Sequence, residues 1–111
     1  MAEKRELKRK KKRLKLRFGV DSPKRVAFTE DMSDRGLFIT TGQPELPGRK
    51  LLIEMLLPNG DTVVAHGRVQ WAKKVPPSLI RVANKGGMGV RLLHFESGEE
   101  SYRQLVYELR R

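Results

Sequence analysis

The sequence predicts a mostly β fold: a six-stranded antiparallel β-barrel with a C-terminal α-helix packed on it and a basic N-terminal arm. Three observations carry this expectation. Short segments of alternating apolar and polar residues recur along the chain, separated by Gly, Pro, Asn and Asp. One apolar stripe of helical period closes the sequence. Ten of the first seventeen residues are Lys or Arg, ahead of any segment that could build a core.

The strands follow in order. Leu14, Leu16 and Phe18 alternate with Lys15 and Arg17, a strand with one buried face. Residues 20–23 break it, and 24–29 form a second strand. Residues 36–41 are a third, short and β-branched. Pro44, Pro47 and Gly48 mark a loop that leads into a fourth strand over 51–57. Pro58-Asn-Gly-Asp61 supplies an Asn-Gly pair of the kind favoured in type I′ hairpins. The fifth strand runs over 62–72, with Val63, Ala65, Val69 and Trp71 sharing the core parity and His66, Arg68 and Gln70 the other. After a long loop over 75–87, residues 88–95 form the last strand.

The chain ends in a helix over 98–110. Ser97 and Glu100 match a capping box, Tyr102, Leu105, Val106 and Leu109 fall on one stripe, and Arg110 and Arg111 suit the negative end of the helix dipole. The expected organisation is therefore a flexible arm over 1–13 and one barrel domain over 14–111.

With 111 residues the chain holds one domain and a modest core. The absence of cysteine excludes disulfides, thiolate metal sites and thiol nucleophiles. The apolar runs fall far short of the roughly 20 residues of a spanning helix, and no secretory signal follows the basic start. A soluble protein with no membrane insertion is expected. Catalysis is not expected either. His66 reads as a solvated strand residue, His94 has no carboxylate or second histidine at ligand spacing, and Glu99 and Glu100 belong to a helix first turn. No nucleophile elbow or Walker-type loop is present. The reading is a non-enzyme without a metal.

Charge points to a polyanionic partner. The net charge is +11, and residues 1–17 hold ten basic groups against Glu3 and Glu6, a balance of +8. Arginines stand at positions 5, 9, 13 and 17. A second segment, Asp31-Met-Ser-Asp-Arg-Gly36, lies between strands. Its Asp, Ser and Gly are ordinary turn residues, which makes a tight corner one reading. In the other, the Asp31 carboxylate and the Ser33 hydroxyl accept hydrogen bonds from a guanine edge or hold a neighbouring arginine, and Gly36 lets a ligand or backbone come close.

An R-x-x-x-R segment before the first strand, followed by Asp31-x-Ser33-x-x-Gly36, resembles the PilZ domain family. Gly67-Arg-Val-Gln-Trp71 and Gly87-Met-Gly-Val-Arg91 are similar to strands of that family, and the likeness spans roughly residues 9–110. The resemblance implies a six-stranded barrel with a C-terminal helix. It also implies a bacterial, cytoplasmic receptor for cyclic di-GMP, with no other cofactor and no catalysis. Its implied ligand residues are Arg9, Arg13, Asp31, Ser33 and Gly36, with Arg17, Asp34 and Arg35 secondary. Arg5/Arg9, Arg9/Arg13 and Arg13/Arg17 all fit the arginine motif. Because Arg17 lies inside a strand, Arg9 with Arg13 is the favoured pair and Arg13/Arg17 the runner-up. Arginine forks suit phosphates and guanine O6/N7 edges bidentately, and the lysines add long-range attraction. The expected mechanism is an arm that closes over the nucleotide and changes the surface a downstream protein partner meets.

Other readings stand beside this one, among them a membrane-surface helix over residues 2–17, for which Leu7, Leu14 and Leu16 make a poor apolar face. A basic tail on a small barrel could bind nucleic acid through phosphates, but single-strand binders add exposed aromatics, and Phe18, Trp71 and Tyr102 fall on core faces here. A PilZ-like adaptor that no longer binds nucleotide is another.

Overall fold

The structure, a computed structural model, describes residues 13–75 and 86–110. Arg9 and the rest of the arm over 1–12, and the centre of the long loop, lie outside the described residues. Six strands form a closed barrel: β1 (Leu14–Gly19), β2 (Arg25–Met32), β3 (Gly36–Thr40), β4 (Lys50–Leu56), β5 (Thr62–Lys73) and β6 (Gly87–Ser97), followed by helix α1 (Glu99–Arg110). Around the ring they run β1-β2-β3-β6-β5-β4, each pair antiparallel. Closure pairs the strands all round and leaves no exposed edge. It also places β1 across the barrel from β6 and β4 across from β3.

The alternation read from the sequence fills the interior. Leu14, Leu16 and Phe18 point inward from β1, Leu51, Ile53 and Met55 from β4, and Val63, Ala65 and Val69 from β5. They meet Leu37 and Ile39 of β3 and Met88 and Val90 of β6. Helix α1 contributes buried Tyr102 and Val106, with Leu105 and Leu109 packed partly against the same cluster. The four stripe positions therefore face the barrel as expected.

Local chemistry alters several expected details. The 58–61 turn is not type I′, because Asn59 keeps a negative φ and only Gly60 is left-handed, at +95°. Gly60 N–H donates to Leu57 O at 2.9 Å and Leu57 N–H to Asp61 O at 2.8 Å. This is a type I turn over Leu57–Gly60 with a glycine bulge. Pro58 explains the shift, since it has no N–H to pair with Asp61 but suits the first central position. The helix is capped by Gly98 rather than Ser97: Gly98 O accepts Tyr102 N–H at 2.9 Å while Ser97 still belongs to β6.

Bulges make the remaining differences. β2 continues to Met32 through a register shift between Phe28 and Asp31, so the inward positions become Ala27, Thr29 and Met32. Asp31 is thereby an exposed strand residue opposite Phe38, not part of a loop. On β5 a shift between Val69 and Trp71 sets Val69 opposite Val90 and Trp71 opposite Gly89. The extra residue turns Trp71 out of the barrel, 50% exposed, which corrects its assignment to the core.

Candidate functional site

The turn after β2 is built from its own side chains. Ser33 N–H donates to Gly36 O at 2.8 Å, and the Ser33 hydroxyl oxygen accepts from the N–H groups of Arg35 and Gly36, each at 3.3 Å. The hydroxyl thus folds back to close the turn and does not share an extended face with the Asp31 carboxylate, as the sequence spacing suggested. Gly36 is required by proximity. A Cβ there would stand 2.3 Å from Val90 O of the paired β6 strand.

Helix α1 braces this turn from behind. The Tyr102 hydroxyl donates to Ser33 O at 2.8 Å and reaches Gly36 O at 3.4 Å. Arg110 Nη1 donates to Met32 O at 3.1 Å, and Arg103 Nη1 lies 3.5 Å from Asp34 Oδ1. Burial, with the Asp34 charge adding to it, pushes the Tyr102 phenol well above its ordinary pKa. The phenol therefore remains a donor throughout the physiological range. Leu92 N–H donates to Arg35 O at 2.7 Å, tying the turn's far end to β6.

The braced turn forms one wall of an open cleft of about 410 Å³ on the outside of β3, β6 and the end of β5. Asp31, Ser33, Arg35 and Gly36 line one side, and Gln70, Trp71 and Arg91 the other, with Phe38 between. The Trp71 and Phe38 rings stack at 5.4 Å between centroids. Gly89 makes room beneath the indole: a Cβ there would lie 2.3 Å from Trp71 Nε1. The cleft therefore offers a flat aromatic surface, a carboxylate and two guanidinium groups.

The structure sorts the sequence-derived candidates. Asp31, Ser33, Arg35 and Gly36 share the cleft. Asp34 faces helix α1. Arg13 stands at the start of β1, exposed, with its guanidinium 4.1 Å above the Phe28 ring, three residues along β2 from Asp31. Arg17 is apart from them. It pairs in register with Val26 and lies 3.8 Å from Glu54 on β4, the opposite flank of β1. Val26 and Asp31 are five residues apart, roughly 16 Å at a strand rise of about 3.3 Å per residue. Arg9 lies outside the described residues.

Sequence reasoning missed Phe38, Gln70, Trp71 and Arg91. The parity rule placed Trp71 inside because a bulge leaves no mark in the residues of its own strand. The available signal was on the partner strand, where Gly89 leaves space for a large ring. The histidine reading also changes. His66 pairs with His94 across β5 and β6, their rings stack at 4.4 Å, and His66 Nε2 lies 2.5 Å from Glu96 Oε2. His94 does have a second histidine against it, brought there by strand pairing, while Glu96, two residues along β6, meets His66 across the same pair of strands. Among the described residues, however, no group of three or more His, Asp or Glu is arranged to hold a metal, and no helix is long and apolar enough to cross a membrane.

A closed six-stranded barrel with a terminal helix braced against an Asp-x-Ser-x-x-Gly turn defines a recognisable class of small domain. A family model described as PilZ domain matches residues 3–108. The chain belongs to the PilZ domain family. Neither the curated proteins nor the solved structures returned a match.

Proposed function

We propose that this PilZ domain is a non-catalytic receptor for cyclic di-GMP in the bacterial cytoplasm. The observation that carries the reading is the shared cleft: Asp31 lines it together with Arg35, Arg91 and the half-exposed Trp71 stacked on Phe38. Each group matches a part of that ligand. A carboxylate accepts from the N1–H and N2–H₂ edge of guanine. An indole offers a stacking surface for a purine, worth about 1–3 kcal/mol per base in nucleic-acid complexes. Guanidinium forks pair bidentately with phosphate or with guanine O6/N7. Ser33 acts through the turn it closes, and Gly36 through the close approach of β3 to β6.

Arg13 supplies the link to the arm. It sits where the basic segment enters β1, on the outer surface that leads along β2 to Asp31. In this reading Arg9 and Arg13 close over the bound nucleotide, and the arm's new position alters the surface presented to a downstream protein. Arg17, held toward Glu54, takes no part.

The exposure of Trp71 also favours a second reading. It provides the aromatic platform that single-stranded nucleic-acid binders use, beside a strongly basic arm. Titration separates the two. The chain has a single tryptophan, so its fluorescence reports on the cleft. Cyclic di-GMP should change that signal saturably, and GTP and a random oligonucleotide should not do so at comparable concentration. Oligonucleotide binding that matches it and collapses between 50 and 200 mM salt would favour the nucleic-acid reading instead.

A further inference from the structure

A second surface lies across the barrel from the cleft, on the outer face of β1 and its neighbours β2 and β4. Two apolar side chains stand out from it, Val26 at 55% exposure and Leu56 at 63%. Between them β1 presents Lys15 and Arg17, and Lys24 enters from the start of β2, around a groove of about 650 Å³. Register sets the pattern. Arg17 lies between Val26 on one side and Glu54 on the other. Lys15 lies one row further along β1, where continuation of the same pairing brings it beside Leu56. Glu54 is the one carboxylate among the described residues lining the groove, and Arg17 lies against it.

We propose that this face is a docking site for an acidic protein segment carrying apolar side chains. The pattern is one of charge complementarity. Among the described residues lining the groove, three cations frame two exposed apolar groups, and Glu54, 3.8 Å from Arg17, is the one anion. Side chains at i and i+2 of a strand point the same way and stand about 6.6 Å apart at a rise of 3.3 Å per residue. An extended partner crossing from Leu56 to Val26 places apolar side chains at i and i+4 over them and a carboxylate at i+2, on the same face, between Lys15 and Arg17. Burial of those two side chains would supply the affinity, and the charges the approach and the register. Nucleic acid would use the cations without needing the apolar pair; among the described residues lining the groove there is no aromatic, and Phe28, opposite Lys15 on β2, lies under the Arg13 guanidinium. Because β1 and β4 lie opposite β6 and β3, the groove and the cleft can be occupied together.

The test is an amide-resolved NMR titration of the full chain with a soluble twelve-residue peptide in which valine and glutamate take turns at every second position, with serine between. Shift changes should gather at Lys15, Arg17, Val26 and Leu56. A V26S/L56S double variant, which keeps every charge, should weaken binding at least tenfold. Asp31→Ala should leave it unchanged, so failure here is distinguishable from failure of the nucleotide reading. Equal binding by V26S/L56S would overturn the proposal, as would shifts centred on the cleft. So would tighter binding at this face by an oligonucleotide or by vesicles containing phosphatidylserine.

Discussion

The hydroxyl of Tyr102, on a fully buried helix side chain, donates to the backbone carbonyl of Ser33 at 2.8 Å, 69 residues away in sequence. This hydrogen bond, beside the contacts of Arg103 and Arg110, joins the terminal helix to the turn that walls the cleft. Tyr102→Phe keeps the ring and removes the donor, leaving the Ser33 carbonyl short of its partner. Loss of about 1–3 kcal/mol is expected, measurable by urea denaturation. The helix should remain formed, and the amide signals of residues 33–36 should broaden or shift most.

The same phenol gives an alkaline signature. Its folded-state pKa is raised above the ordinary value of 10.0 by burial, so the folded protein holds its proton where the unfolded chain has released it. The stability this contributes is fully present below pH 10 and is lost as pH rises above it, with a slope of up to about 1.4 kcal/mol per pH unit. Thermal midpoints measured between pH 9 and 11 should fall less steeply in Tyr102→Phe than in the unmodified chain.

Two glycines near the cleft should respond differently to alanine. Gly36→Ala sets a methyl 2.3 Å from Val90 O, a backbone atom held in the β3–β6 ladder. The cost should reach about 1–3 kcal/mol or more, with the turn displaced. Gly89→Ala sets its methyl against the half-exposed Trp71 ring. That ring can swing outward, so stability should change little. Trp71 fluorescence should shift to the red and the cleft should lose its stacking surface.

Much of the fold was legible because period-two alternation maps directly onto a barrel with one wet and one dry face. Leu14, Leu16 and Phe18 illustrate it, all buried beside exposed Lys15 and Arg17. The helix was equally clear, since Tyr102 and Val106 fall on the expected stripe. What stayed hidden depended on strand pairing. Asp31 and Ser33 could be named as candidates from their motif, but the bulge that sets Asp31 outward needs β3 beside it. Trp71 was placed on the wrong face for the same reason, and the stacking of His66 on His94 exists only where β5 meets β6. Likewise, the bracing of Asp34 by Arg103 joins groups that no local pattern connects.

A buried hydroxyl offers a further check on the packing. Thr29 faces the core fully buried, and among the described residues its Oγ1 finds no hydrogen-bond partner. Thr29→Val keeps the shape of the side chain and removes the desolvated oxygen. It should stabilise the barrel by about 1 kcal/mol, seen as a rise of a few degrees in Tm.

We expect the Asp31 cleft and the arginine arm to bind cyclic di-GMP together. Calorimetric titration of the full chain tests it most directly, beside Asp31→Ala, Arg13→Ala and an Arg17→Ala control. Saturable binding is expected at micromolar concentration or tighter, weakened at least tenfold by the first two substitutions and little changed by the third. No heat of binding in the unmodified chain, or equal affinity in Asp31→Ala and Arg13→Ala, would contradict it.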